Sequence, residues 1–235
     1  MEHSFPIRIN RYLALKGYAT RRKADELIQH GRVFLNGSKA QLGDQVQKND
    51  RVEVRGHTPN TKRVYLAYHK PENMVTHGPQ GDEVDIISSL GRKDVFPLGR
   101  LDKKSRGLIL LTNDGRVTGP LLEPSAKHEK EYRVTVDKKI SNHFLKWMQK
   151  GVSIEGYVTK PAEITKESDV IFHIVLTEGK THQIRRMCAA LGYVVRDLLR
   201  IRIMNIKLGT LKPNEARDLT DTERESLLRE LGISV

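Results

Sequence analysis

The chain holds a single cysteine, Cys188, among its 235 residues. One thiol excludes an internal disulfide and any zinc cluster built on two or more thiolates. Cys188 also falls at helical spacing with Ile184, Met187 and Leu191, the place of a small core residue rather than of a nucleophile. Long apolar runs are missing as well. No stretch reaches the roughly 18 residues of a membrane span, and the start, Met1 to Pro6, lacks the charged and apolar regions of a secretion signal. The expected location is therefore the cytoplasm. With one Trp and five Phe, the bulky anchors of a basic membrane-surface helix are scarce too.

Acidic residues are in deficit: 29 Asp and Glu face 41 Lys and Arg, a formal charge of +12 and a pI near 9.8. Such an excess repels itself unless a polyanion is the partner, and nucleic acid is the usual one. An apolar fraction of 37% with 30% charged residues describes a globular protein with a core, long enough for one large domain or two unequal ones.

The first sixty residues read as a small basic module. Ile9 to Lys16 forms one helix ending at Gly17; Thr20 caps a second from Arg21 to His30, which buries Ala24, Leu27 and Ile28 and stops at Gly31. Val33-Phe34-Leu35 then runs into Asn36-Gly37, a hairpin signal, with Val52 and Val54 as a later strand. Between Ile7 and Ala40 the cations include Arg8, Arg11, Arg21, Arg22, Lys23 and Arg32, against only Asp25 and Glu26. A patch so focused suits a phosphate backbone, and Arg21-Arg22-Lys23 adds to the positive end of a helix. A merely solvated helix face is the competing reading.

A polar stretch from Gly56 to Arg63 is expected to link this module (6–62) to a second domain (63–235). There, apolar runs at Val64–Tyr68, Leu108–Leu111, Tyr132–Val136, Ile171–Leu176 and Ile203–Leu208 read as strands. Helical patterns at Ser141–Gln149 and Thr181–Leu191 lie among them without regular alternation, the mark of α+β. Three motifs fail. Gly179-Lys180-Thr181 lacks the first glycine of a phosphate-binding loop, and His128-Glu129 lacks a second histidine at metal-ligand spacing. Asn36-Gly37-Ser38 is a glycosylation acceptor of no use to a cytosolic protein.

The informative stretch is Pro97-Leu98-Gly99-Arg100-Leu101-Asp102-Lys103-Lys104-Ser105-Arg106-Gly107, followed by the apolar run Leu108–Leu111 and the turn Asn113-Asp114-Gly115. Four nearby cations favour an ionised Asp102, available as a nucleophile. By local chemistry alone, a loop carboxylate paired with a neighbouring lysine is the commoner case.

Residues beyond this loop reverse that preference. The stretch around Asp102 resembles the catalytic motif of the RsuA group of pseudouridine synthases, whose members carry an S4 RNA-binding module first. The run Arg8-Ile9-Asn10-Arg11-Tyr12-Leu13 and the run Thr20-Arg21-Arg22-Lys23-Ala24-Asp25 are similar to that module. Lys130-Glu131-Tyr132 resembles the motif of the active-site tyrosine. Glu178-Gly179-Lys180-Thr181-His182-Gln183-Ile184-Arg185-Arg186-Met187 resembles the motif of the basic partner. The wording of Lys127–Tyr132 and Arg200–Asn205 is most similar to the RluF subgroup. Two departures, Asn73 where glycine is usual and Ala216 where an aromatic is common, bear on loop geometry and substrate choice.

The resemblance implies an S4-like α/β module ahead of a mixed, mainly antiparallel sheet with flanking helices. It implies isomerisation of uridine to pseudouridine in structured RNA, 23S ribosomal RNA and also tRNA, without metal or organic cofactor; action as a monomer is the simpler expectation. Asp102 would act at the ribose, Tyr132 would pack on the base and help remove the C5 proton, and Arg185 would hold Asp102 in a bidentate ion pair. The target must leave its stack, and Arg100 would fill the gap, because guanidinium planes stack on bases. Lys103, Arg106, His182, Gln183 and Arg186 are the further expected RNA contacts. The alternatives are a non-catalytic S4-type RNA-binding or ribosome-assembly factor, and an RNA hydrolase, for which no paired acid and base are visible.

Overall fold

The computed structural model describes residues 5–56 and 62–234; most of the expected linker lies outside them. In chain order the first elements are β1 (Ile7–Arg8), α1 (Ile9–Leu15), α2 (Arg21–Gln29), β2 (Val33–Leu35), β3 (Ser38–Lys39), β4 (Gln45–Val46) and β5 (Val52–Val54). Thr20 caps α2 by accepting from the Lys23 N–H. Asn36 and Gly37 both take positive φ, 51° and 86°, as a two-residue turn between twisted strands requires. Ile9, Leu13, Ala24, Leu27, Ile28, Val33 and Val46 close a core of their own.

From Tyr65 onward the elements are β6 (Tyr65–Lys70), α3 (Ile86–Leu90), β7 (Phe96–Leu98), β8 (Arg106–Thr112), α4 (Thr118–Leu122), β9 (Lys130–Val136), α5 (Asn142–Lys150), β10 (Ser153–Ile154), β11 (Tyr157–Val158), β12 (Glu163–Lys166), β13 (Ile171–Leu176), α6 (Gln183–Ala190), β14 (Val195–Ile203), β15 (Ile206–Lys207), β16 (Ala216–Asp218) and α7 (Asp221–Glu230). Nine strands form one sheet in the order β12-β13-β9-β14-β8-β6-β16, with β15 beside β14 and β7 beside β8. Only β14 and β8 run parallel. This is the mixed, mainly antiparallel architecture that the sequence resemblance implied.

One face of the sheet carries two apolar clusters. Val134, Phe172 and Leu198 pack under α5 and α6, while Tyr68, Ile109 and Leu111 pack under α3 and Met74. On the other face, Ala67, Leu108 and Leu110 meet Leu227 and Leu228 of α7. Cys188 is wholly buried in the first cluster, and burial pushes its thiol up to about 12, so it fills space as expected.

The run Ile203–Leu208, expected as one strand, is instead the end of β14, a tight turn at Met204 and Asn205, and the short β15. Met204 takes a φ of 49°, a reversal that hydrophobic runs do not announce. Helix α7 was not anticipated, although Thr220 and Glu223 form a full capping box at its start. Its apolar stripe is too narrow to stand out.

Candidate active site

Gly107 belongs to a single cross-strand row centred on Arg200. Lys70 of β6 pairs with Gly107 of β8, Gly107 with Arg200 of β14, Arg200 with Tyr132 of β9, and Tyr132 with Ile174 of β13. Directly paired residues point to the same face, so Lys70, Arg200 and Tyr132 line the gap between the two apolar clusters of that face. The backbones at Gly107 and Arg200 nearly touch: a Cβ on Gly107 would lie 2.4 Å from the Arg200 carbonyl oxygen, and the φ of Gly107 is +115°. Only glycine fits there.

The segment preceding β8 is the loop of Asp102. Its apolar member, Leu101, is buried, and all five carbonyls from Arg100 to Lys104 accept hydrogen bonds. Arg100 O accepts from Arg200 Nη1 at 3.3 Å, Leu101 O from Thr76 Oγ1 at 2.8 Å, and Asp102 O from the Ser105 N–H at 2.9 Å. Lys103 O accepts from the Asn73 N–H at 2.8 Å and from Lys70 Nζ at 3.4 Å. Lys104 O accepts from Arg185 Nη2 at 2.7 Å. Six donor residues therefore fix a short loop, the kind of support that holds one reactive side chain in one geometry. Asn73 makes its bond at a φ of 64°, a left-handed conformation that asparagine tolerates almost as glycine does, so its departure from the family wording leaves the loop intact. Ala216, the other departure, is an exposed residue of edge strand β16, paired with Tyr68 of β6.

Asp102 itself is partly exposed, and His182 Nε2 stands 3.6 Å from its Oδ1. Arg185 is near but differently used. Instead of an ion pair with Asp102, its guanidinium donates to the carbonyls of Lys104 and Val195, at 2.7 and 3.1 Å. Helix α6 begins only at Gln183, with His182 in the left-handed region at φ 51°, and this places Arg185 beneath the loop rather than beside the carboxylate. Tyr132 packs against the α5/α6 cluster from its place in the row.

Lys70 is fully buried and donates to the carbonyls of Pro71 and Met74, at 2.9 and 2.7 Å, as well as to that of Lys103. Burial pushes it down to about 8, against the pull of the Asp102 charge. Neither Lys70 nor Arg200 had been singled out from the sequence. The available signal was a cation on an otherwise buried strand face: Lys70 ends the run Tyr65–Lys70, and Arg200 follows Leu198 at strand spacing.

The expected RNA contacts divide. Arg8, Arg11, Arg21, Arg22, Lys23, Arg32, Arg100 and His182 are exposed, although Lys23 is held by Glu26 at 2.6 Å. Lys103 is exposed but paired with Glu83 at 2.7 Å. Arg106 forms a two-pronged bond to Asp197, at 2.8 and 2.7 Å, on the opposite face from the row. Gln183 is buried and donates to Glu178, while Arg186 bonds Thr181 O and pairs with Glu155. Arg106 and Gln183 thus each bond to a carboxylate of the protein itself. Among the described residues no group of three His, Cys, Asp or Glu side chains is placed to hold a metal, and no helix is long and apolar enough to cross a membrane.

Comparison with known proteins gives concordant matches. A family model described as RNA pseudouridylate synthase matches residues 64–190, and one described as S4 domain matches residues 7–52. The dual-specificity RNA pseudouridine synthase RluF of Escherichia coli (strain K12) is 43% identical over 228 residues, covering 95% of this chain and 79% of that protein. The ribosomal large subunit pseudouridine synthase B of Bacillus subtilis (strain 168) is 32% identical, covering 94% and 95%. A crystal structure of a pseudouridylate synthase superposes with a TM-score of 0.70 at 28% identity, covering 94% of this chain and 99% of its own.

Proposed function

This chain belongs to the RNA pseudouridylate synthase family and isomerises uridine to pseudouridine in RNA; from that premise we propose that Asp102 is its catalytic carboxylate and that it modifies large-subunit ribosomal RNA and also tRNA. The reaction breaks the bond from ribose C1′ to uracil N1, turns the base, and joins C1′ to C5. The C5 proton is lost and N1 gains one, so nothing is consumed. Asp102 acts at the ribose, and Tyr132, in the row beneath, packs on the uracil and assists loss of the C5 proton. The single observation that supports this most is the bonding of every carbonyl around Asp102, since preorganisation of one carboxylate is what an isomerisation without consumed reagents demands.

Arg185 supports Asp102 through the loop backbone. Arg100, exposed and without a side-chain hydrogen bond among the described residues, fills the stack when the uridine flips, at a cost of a few kcal/mol. The module of residues 6–62, with Arg8, Arg11, Arg21, Arg22 and Arg32 outward, docks the RNA, and residues 63–235 carry the chemistry. The chain acts as a monomer in the cytoplasm. The large-subunit target rests on the relative described as a ribosomal large subunit synthase, and the second target on the dual specificity described for RluF together with the RluF-like wording of Lys127–Tyr132 and Arg200–Asn205.

Asp102→Asn is the test: RNA binding by the variant should persist while pseudouridine formation vanishes. Modification that survives in this variant removes Asp102 from the chemistry. Mapping pseudouridines in ribosomal RNA and tRNA from cells with and without the gene tests the targets separately.

A further inference from the structure

Arg200 is 3% exposed at the centre of the sheet. Its Nε donates to Leu108 O at 2.7 Å and its Nη1 to Arg100 O at 3.3 Å, while Nη2 is buried without a partner. One side chain therefore ties β8, which follows the Asp102 loop, to the residue two positions before the aspartate. A buried guanidinium normally faces a carboxylate, because an unpaired buried charge is costly. Among the described residues Arg200 forms no ion pair. Two of its neighbours are themselves cations: the field of Arg200 acts on Lys70 and on Lys130, both of which burial and that field push down.

The anions whose fields act on Lys70 in the opposite sense are Asp102 and, after it, the exposed Glu72. Two buried cations bonded to the carbonyls that flank Asp102 make no sense as a stability device. Apolar residues of similar volume would cost less, because a buried charge loses its hydration. They do make sense as a fixed positive floor beneath a group that must stay in place and ionised while RNA closes over it.

We propose that Arg200 is a positioning residue for the isomerisation, which fixes the Arg100–Asp102 loop by bridging the carbonyls of Arg100 and Leu108. The inference deepens the role given to Asp102 and rests on it. It departs from the expectation that the basic partner comes from helix α6 alone, and it assigns the central guanidinium of the row to strand β14. Lysine cannot substitute, because one amine cannot span two carbonyls in the geometry of a guanidinium.

The experiment compares the unaltered chain with Arg200→Gln and Arg200→Lys on C5-tritiated ribosomal RNA or tRNA, whichever the unaltered chain is first found to modify. Tritium release under single turnover reports the chemistry, filter binding reports affinity, and urea unfolding reports integrity. The expected result for Arg200→Gln is a release rate lowered by about 100-fold or more, with affinity within about threefold. Arg200→Lys should recover less than a tenth of the lost rate. A rate within threefold in Arg200→Gln overturns the proposal, and so does full recovery by lysine, or a loss of rate matched step for step by a loss of affinity. If Arg200→Gln loses its cooperative unfolding, the lysine variant decides by the same criteria. Failure of Asp102→Asn to abolish modification would instead refute the role of Asp102, so the two outcomes are distinct.

Discussion

Arg185 Nη2 donates to the carbonyl of Lys104 at 2.7 Å, which ties helix α6 to the loop of Asp102 through the backbone. Its Nη1 holds the Val195 carbonyl at the start of β14. The guanidinium thus joins three elements at one point, and replacing it with a shorter neutral side chain frees the loop's last carbonyl. Arg185→Gln should slow single-turnover conversion by roughly 100-fold or more while RNA affinity changes far less, the pattern of lost transition-state positioning. Equal losses in both would mean that Arg185 serves binding.

Gly107 tests the row itself. A methyl group there collides with the Arg200 backbone, and the positive φ disfavours any side chain. Gly107→Ala should lower stability by roughly 3 kcal/mol or more, read from urea unfolding. A change under about 1 kcal/mol would mean that β8 and β14 can part without cost.

Lys70 makes stability depend on alkaline pH. Its folded value is about 8, against 10.5 ordinarily, chiefly because burial penalises the charged amine. Between those values the unfolded chain binds the proton and the folded chain does not, so stability from this group rises with pH across the window. Below about pH 8 the penalty is present in full, up to roughly 3 kcal/mol at 1.36 kcal/mol per unit. Urea unfolding at pH 7.5 and pH 9.5 should show the unaltered chain gaining on Lys70→Met as pH rises. Parallel pH profiles for the two would contradict this.

The exposed cations at the start of α2 should be read through salt. Arg21 and Arg22 are exposed and form no ion pair among the described residues, whereas Lys23 is held by Glu26. Replacing both arginines with alanine should flatten the slope of log affinity against log salt concentration by about 1.4 to 1.8, since each phosphate contact contributes about 0.7 to 0.9. Lys23→Ala should change it less. An unaltered slope in the double variant would place the RNA elsewhere.

The amino-acid sequence by itself determined the basic module, its two helices and its hairpin, because caps, glycines and the Asn36-Gly37 turn act over a few residues. It also determined which family motifs the chain carries, since Gly99–Asp102, Tyr132 and Arg185 each stand in a contiguous run. Tertiary structure alone decided what those residues touch. Arg185 turned out to hold backbone rather than Asp102, Gln183 is buried against Glu178, and Arg106 is bound to Asp197 on the opposite face. Lys70 and Arg200 came to lie 130 positions apart in the chain and two strands apart in the sheet. That row exists because β14 runs parallel to β8 and meets it at a glycine. Strand pairing across such distances depends on which apolar faces can be covered together, a property of the assembled sheet that no local run of residues expresses.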